Sequence, residues 1–190
     1  MTGDQVRLRA ETLKGIAHPL RVRLLDLLRE AGPSTATRLA ERTGQSSGAT
    51  SYHLRQLAAY GFVVEEARGP GRERWWRAAH RGTTLNSDDA REAPAEAEAY
   101  MRAVAAEYAD RVDRWLSEVP TMPREWDDGM ALNSYQLCLT TVEAARLVRQ
   151  LEEVVAAYRR ADPEEEAPPD TERVVVHFEV MPFVRRDGQP

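Results

Sequence analysis

The sequence predicts a mainly α, α+β chain: a helical N-terminal block closed by a β-hairpin, then a long helix, then a small C-terminal strand–helix–strand unit. Three observations carry that reading. Apolar residues recur at helical spacing through the first 60 positions. Two short β-rich runs, 62–65 and 74–77, flank the turn Arg68-Gly69-Pro70-Gly71-Arg72. After residue 120 the apolar pattern alternates, becomes helical, and alternates again. The length, 190 residues and 21.4 kDa, accommodates one small domain and an accessory one.

Taken in order, residues 6–17 read as a helix with Leu8, Leu13, Ile16 and Ala17 near one face. His18-Pro19 breaks it and opens a second, because proline suits a first helical turn. Leu20, Leu24, Leu25, Leu27 and Leu28 give that helix a broad apolar face, and Gly32-Pro33 closes it. Thr35 caps a third helix over 36–42, with Leu39 and Ala40 inward and Gly44 at a left-handed C′ position. Ser46 or Ser47 caps a fourth, running to about residue 60. Ala49, Thr50, His53, Leu54 and Leu57 share its inward face. Gly48, Ser51, Tyr52 and Arg55 share the opposite one. Gly61 ends it, and the hairpin follows with Trp75 and Trp76 alternating, one inward and one outward.

Residues 81–93 are polar and read as a linker. A long helix spans 94–119, with Tyr100, Val104, Tyr108, Val112 and Trp115 along one stripe. Residues 132–139 alternate as a strand. Thr140-x-x-Glu143 is a capping box opening a helix over about 142–160. Residues 174–181 are a second strand. The predicted divisions are therefore 1–80, 81–93, 94–119 and 120–190.

Composition narrows the function. The net charge of −5 hides an asymmetry. Residues 1–80 carry 13 basic and 8 acidic side chains, whereas residues 81–190 carry 13 and 23. A basic block on an acidic chain points to a local anionic partner such as nucleic acid. One cysteine, Cys138, and four histidines scattered over separate segments argue against a disulfide, a metal site and a catalytic centre. No cofactor is expected. No run nears the roughly 18 apolar residues of a membrane helix, and the expected setting is cytoplasmic.

Helix, helix, helix–turn–helix and hairpin in about 75 residues form the winged helix-turn-helix plan. A helix fits the DNA major groove. Small residues at its start permit close approach, and its N-terminal N–H groups favour a phosphate. The candidate DNA contacts are Thr37, Arg38, Ser46, Ser47, Gly48, Ser51, Tyr52, Arg55 and Gln56, with Arg68, Arg72 and Arg74 on the wing. The stretches LKGIAHPLRVRLLDLL, TATRLAERTG, GATSYHLRQLAAYGFVVE and GPGRERWWRA resemble the ArsR-type regulators over about residues 8–80. Their Ser-x-His-Leu-x-x-Leu pattern is matched by Ser51-Tyr52-His53-Leu54-Arg55-Gln56-Leu57. The resemblance implies a dimeric DNA-binding regulator, usually a repressor released by a ligand. Metal-sensing members carry Cys-x-Cys in the third helix, where this chain has Ala36-Thr37-Arg38-Leu39-Ala40-Glu41-Arg42.

The expected partners are double-stranded DNA at an inverted-repeat operator and a second copy of the chain. Leu8, Tyr100, Val104, Tyr108, Val112 and Trp115 are the expected dimer seam. Trp126, Tyr135, Tyr158, His177 and Met181 are candidates to line a pocket for a small organic effector, if they are not simply core; a partner protein is the alternative effector. The competing reading of the whole is an architectural or protein-bridging winged-helix protein without ligand control.

Overall fold

The computed structural model describes residues 5–67 and 73–183. The chain divides into two units, one formed chiefly by residues 1–117 and the other chiefly by 118–162 and 167–190.

The first unit begins with β1 (Gln5–Leu8) and α1 (Ala10–Ile16). Here the structure corrects the sequence reading, which ran one helix from residue 6. Val6 and Leu8 instead pair in parallel with Thr83 and Leu85 of β5 (Gly82–Leu85). The segment 81–93 is therefore no linker: it supplies β5 and α5 (Ser87–Glu92). Asp89 of α5 clamps β1 through Arg7, whose Nε and Nη2 donate at 3.0 and 2.8 Å. Alternation over four residues is too short to outweigh helical spacing, and the partner strand lies some 77 positions away.

α2 (Pro19–Ala31) is the centre of the core. Val22, Leu24, Leu25, Leu27 and Leu28 are all buried. They pack with Leu13 and Ile16 of α1, Leu39 of α3 (Ala36–Thr43), Leu54 and Leu57 of α4 (Ser47–Ala59), and Phe62. The wing is β3 (Val63–Glu66) antiparallel to β4 (Trp75–Ala78), with the short β2 (Ser34–Thr35) on β4's other edge. Trp76 is buried under the sheet.

α6 (Pro94–Glu118) is the long helix expected over 94–119. Its first turns bury Ala97, Tyr100 and Ala103. Its later turns meet α2 through ions: Arg23 Nη1 lies 2.7 Å from Glu107 and 3.6 Å from Asp110, and Arg111 pairs with Glu30. Burial raises the Asp26 carboxyl above its usual range, against the pull of Arg29 and Arg111.

The second unit holds 3-10 turns at Val119–Thr121 and Arg124–Gly129, then α7 (Thr141–Ala156). The capping box is realised: Glu143 N–H donates to Thr140 Oγ1 at 3.2 Å, and Thr140 N–H donates to Glu143 Oε2 at 2.8 Å. The two flanking strands are not formed. Among the described residues, 132–139 and 174–181 join no sheet. The strand–helix–strand expectation is corrected to a helix between two unpaired segments, in line with the marginal stability of a two-stranded sheet that has no core to pack on.

Candidate nucleic-acid interface

The recognition surface is built by capping. Thr35 Oγ1 accepts from Arg38 N–H at 3.4 Å and starts α3. Gly44, with φ 65°, turns the chain in a left-handed conformation that a side chain would strain. Ser46 Oγ then accepts from Ala49 N–H at 3.2 Å and starts α4. α4 buries Thr50, Leu54 and Leu57. Its opposite face therefore points outward, with Ser47, Gly48, Tyr52 and Arg55 exposed and Ser51 and Gln56 half-buried. A Cβ at Gly48 would meet nothing within 4 Å. Nothing among the described residues crowds a side chain out of that position.

α3, α4 and β4 converge on an open cleft of about 320 Å³. Thr37, Ser51, Arg55 and Arg74 line it, as does Glu73. Arg38 and Thr37 are exposed at the start of α3, and the Arg38 guanidinium lies over the Trp75 ring, 4.9 Å from its centroid. Arg74 Nε sits 3.6 Å from Glu65, with both side chains more than half exposed. Such exposed pairs contribute about 0–1 kcal/mol, so Glu65 holds Arg74 only weakly. The structure thus brings together Thr37, Arg38, Ser46, Ser47, Gly48, Ser51, Tyr52, Arg55, Gln56 and Arg74 on the helix-turn-helix and wing. Arg68 and Arg72 lie outside the described residues.

Two participants escaped the sequence reading. Glu73 places a carboxylate among donors, where it can accept a hydrogen bond from a cytosine amine or repel a phosphate. Summing charge over a block of 80 residues concealed it. Trp75 is a platform for Arg38; the Trp-Trp alternation predicted one outward ring but not its partner.

Behind α4, His18 caps α2, its Nδ1 accepting from Leu20 N–H at 3.1 Å. The His53 ring lies against it at 4.5 Å. Burial lowers the pKa of both imidazoles, and nearby Arg21 lowers both further; His18 itself also lowers that of His53. No group of three or more His, Cys, Asp or Glu side chains is placed to hold a metal among the described residues.

The other expected sites fare differently. Leu8 is fully buried and Tyr100 nearly so, its hydroxyl 2.7 Å from Thr83 Oγ1. Both are used by the chain's own core, which corrects their assignment to a dimer seam. Val104, Tyr108, Val112 and Trp115 are half-buried along α6, and Met101 and Leu116 are exposed beside them. In the second unit Tyr135, Tyr158 and Met181 are 71–79% exposed, and Trp126 and His177 are half-buried.

Residues 16–66 match the family model of a helix-turn-helix domain. No curated protein matches the chain. Three solved structures are similar over part of it. One is a homodimeric winged helix-turn-helix DNA-binding domain from Mycobacterium bovis, described as a possible ArsR-family transcriptional regulator. It is 26% identical, with a TM-score of 0.35, covering 52% of this chain and 77% of that one. Another is a possible transcriptional regulator for arsenical resistance, 29% identical, with a TM-score of 0.32, covering 56% and 94%. A third is an apo form of a ZitR variant from Lactococcus lactis, 18% identical, with a TM-score of 0.30, covering 79% and 86%. The matched stretch 16–66 coincides with the helix-turn-helix and the first wing strand described above. The first unit therefore contains a helix-turn-helix domain followed by an antiparallel wing, a class of domain that binds DNA. No described helix is long and apolar enough to cross a membrane.

Proposed function

We propose that the chain is a sequence-specific DNA-binding transcriptional regulator, a homodimeric repressor that reads an inverted-repeat operator. The observation that carries this reading is the outward face of α4. Ser47, Gly48, Ser51, Tyr52 and Arg55 stand exposed or half-buried on one side of a helix whose other side is core. Arg38 and Arg74 flank that face. The small residues admit the helix to the major groove, Arg55 and Tyr52 reach base edges, and Arg38 and Arg74 hold phosphates. One winged helix offers one recognition helix, so two half-sites about one DNA turn apart call for two copies. The stripe of α6, with Val104, Tyr108, Val112 and Trp115 half-buried and Met101 and Leu116 exposed, is the seam we assign to them. The solved winged-helix domain from Mycobacterium bovis is itself homodimeric, which supports the reading.

The test is genomic footprinting followed by binding to the recovered site and to random DNA across a salt series. Specific binding exceeds non-specific binding by about 10³-fold or more for a regulator of this kind. Equal affinity for both DNAs identifies an architectural protein instead. No binding to either identifies a protein-bridging module. An organic effector or a partner protein, rather than a metal ion, is the release signal proposed, since the third helix has no thiol. The neighbouring genes at the footprints would indicate its chemistry.

A further inference from the structure

We infer that residues 132–139 and 174–181 form an intermolecular β-sheet with the same segments of a second copy, so that the second unit is completed only in the homodimer. The inference rests on the homodimer reading above and names a second surface for it.

The argument starts from what the second unit lacks. Among its described residues none is buried. A segment of some 60 residues without a core cannot offset its own chain entropy. Yet its sequence is built for burial. Leu132, Tyr135, Leu137 and Leu139 are 43–79% exposed in one segment, and Val174, Val175, Val176 and Met181 are 54–71% exposed in the other. α7 between them shows Val142 and Val154 at 65% and 60%. Large apolar side chains left exposed in this number mark an interaction site.

The backbone points to strand pairing as the way to cover it. Among the described residues neither segment joins a ladder. Both are rich in residues that favour strands. An open, apolar edge is a template for another strand and a hazard if left bare.

Charge and number favour a second copy as the occupant. Residues 132–139 carry no charged side chain and 174–181 carry only Glu179. Identical neutral faces meet without repulsion, whereas the rest of the C-terminal half is strongly acidic. One copy brings two segments, below the three strands a stable sheet needs; two copies bring four. A two-fold axis pairs like surfaces and closes, leaving no chain of aggregation. Area is sufficient as well. An aromatic side chain buries about 150–250 Å², and Tyr135 and Phe178 are 79% and 38% exposed. With the aliphatic residues on both copies, the total reaches the roughly 1,200–2,000 Å² of a stable interface.

The test uses the full chain without DNA. Sedimentation should give a dimer, and hydrogen exchange should show the amides of 132–139 and 174–181 protected at high concentration and unprotected on dilution. Cys138 is the only cysteine and is exposed, so a nitroxide there needs no mutagenesis. With strands about 4.8 Å apart, two labels in one sheet should lie within roughly 30 Å of each other. Leu137→Glu with Val175→Glu should abolish the exchange protection while the helical signal of the first unit persists. A monodisperse wild-type monomer overturns the inference, whether the segments lie bare or dock on their own chain. A dimer whose segments exchange freely at every concentration, with no inter-label distance, overturns it too but leaves the α6 seam standing. Loss of operator binding in an Arg55 variant bears only on the DNA reading.

Discussion

The imidazole rings of His18 and His53 stand 4.5 Å apart, one capping α2 and the other on the inward side of the recognition helix. The arrangement requires His18 to be neutral and disfavours a charge on His53. His18 Nδ1 must be unprotonated to accept from Leu20 N–H, and a cation at a helix N-terminus opposes the dipole. Burial and Arg21 lower both pKa values. Arg23, Arg42, Glu107 and Asp110 line the same groove. The unfolded chain titrates its histidines near 6.5. Below that pH the unfolded state binds more protons than the folded one, and stability falls as pH falls. Thermal unfolding should be flat above about pH 6.5 and should shift to lower temperature toward about pH 5. His53→Gln should flatten that decline. Asp26, raised by burial, works with the opposite sign, so the comparison between wild type and the variant isolates the imidazoles.

Arg55 and Arg74 should separate base reading from phosphate binding. Arg55→Ala should relax sequence preference by about 1–3 kcal/mol if it contacts a base edge. Arg74→Ala should weaken binding to all sequences alike and reduce the salt slope by about one. Titrations on operator and random DNA at several salt concentrations check both. Uniform loss with Arg55→Ala would move Arg55 from the groove to the backbone.

What was legible in the sequence follows the range of the interactions. His18 as a cap, Thr35 and Ser46 as N-caps, Gly44 as a left-handed terminator and the Thr140–Glu143 box are decided within four residues, and each is present. The α4 faces follow from helical periodicity alone. The β1–β5 pairing was hidden because each strand has four residues and the pair is separated by the whole helix-turn-helix. Helical spacing leaves Tyr100 open between the chain's own core and a dimer seam, because an apolar stripe does not say whether it meets its own chain. Its neighbour Thr83 lay in a stretch read as linker. The wing arginines Arg68 and Arg72 fall outside the described residues, and of the wing cations the structure places only Arg74 and Arg77.

Gly15 should tolerate no side chain. A Cβ there would lie 2.6 Å from Tyr60 Cδ2 and closer still to that ring's root, so the contact is with atoms that cannot swing away. Gly15→Ala gains up to about 1 kcal/mol in helix propensity but loses about 1–3 kcal/mol to overpacking, and the net change should be destabilising. Urea midpoints measure it. Tyr60→Gly, which removes the Cβ as well as the ring, should recover more of the loss when added to Gly15→Ala than Tyr60→Ala does, since alanine keeps the Cβ that the new methyl meets. Additive losses would place the strain elsewhere.

Arg38 and Trp75 give the most specific test of how the wing and the helix-turn-helix act together. The guanidinium lies 4.9 Å above the indole, a contact worth about 0.5–1 kcal/mol at an exposed site. It ties the first turn of α3 to β4 and fixes where the Arg38 charge stands. Arg38→Ala removes both charge and stack, so affinity should fall on every DNA and the salt slope should drop by about one. Arg38→Lys keeps a charge but not the planar face, so the slope should persist while affinity falls by less. Trp75→Ala leaves the charge and removes its platform. It too should keep the slope and lower affinity, through the freedom Arg38 regains before binding. A double-mutant cycle on DNA affinity then reads the coupling directly. A coupling near zero, with Trp75→Ala binding as wild type, would reduce the stack to a local packing contact. Chemical denaturation of each variant, run in parallel, separates loss of binding from loss of fold.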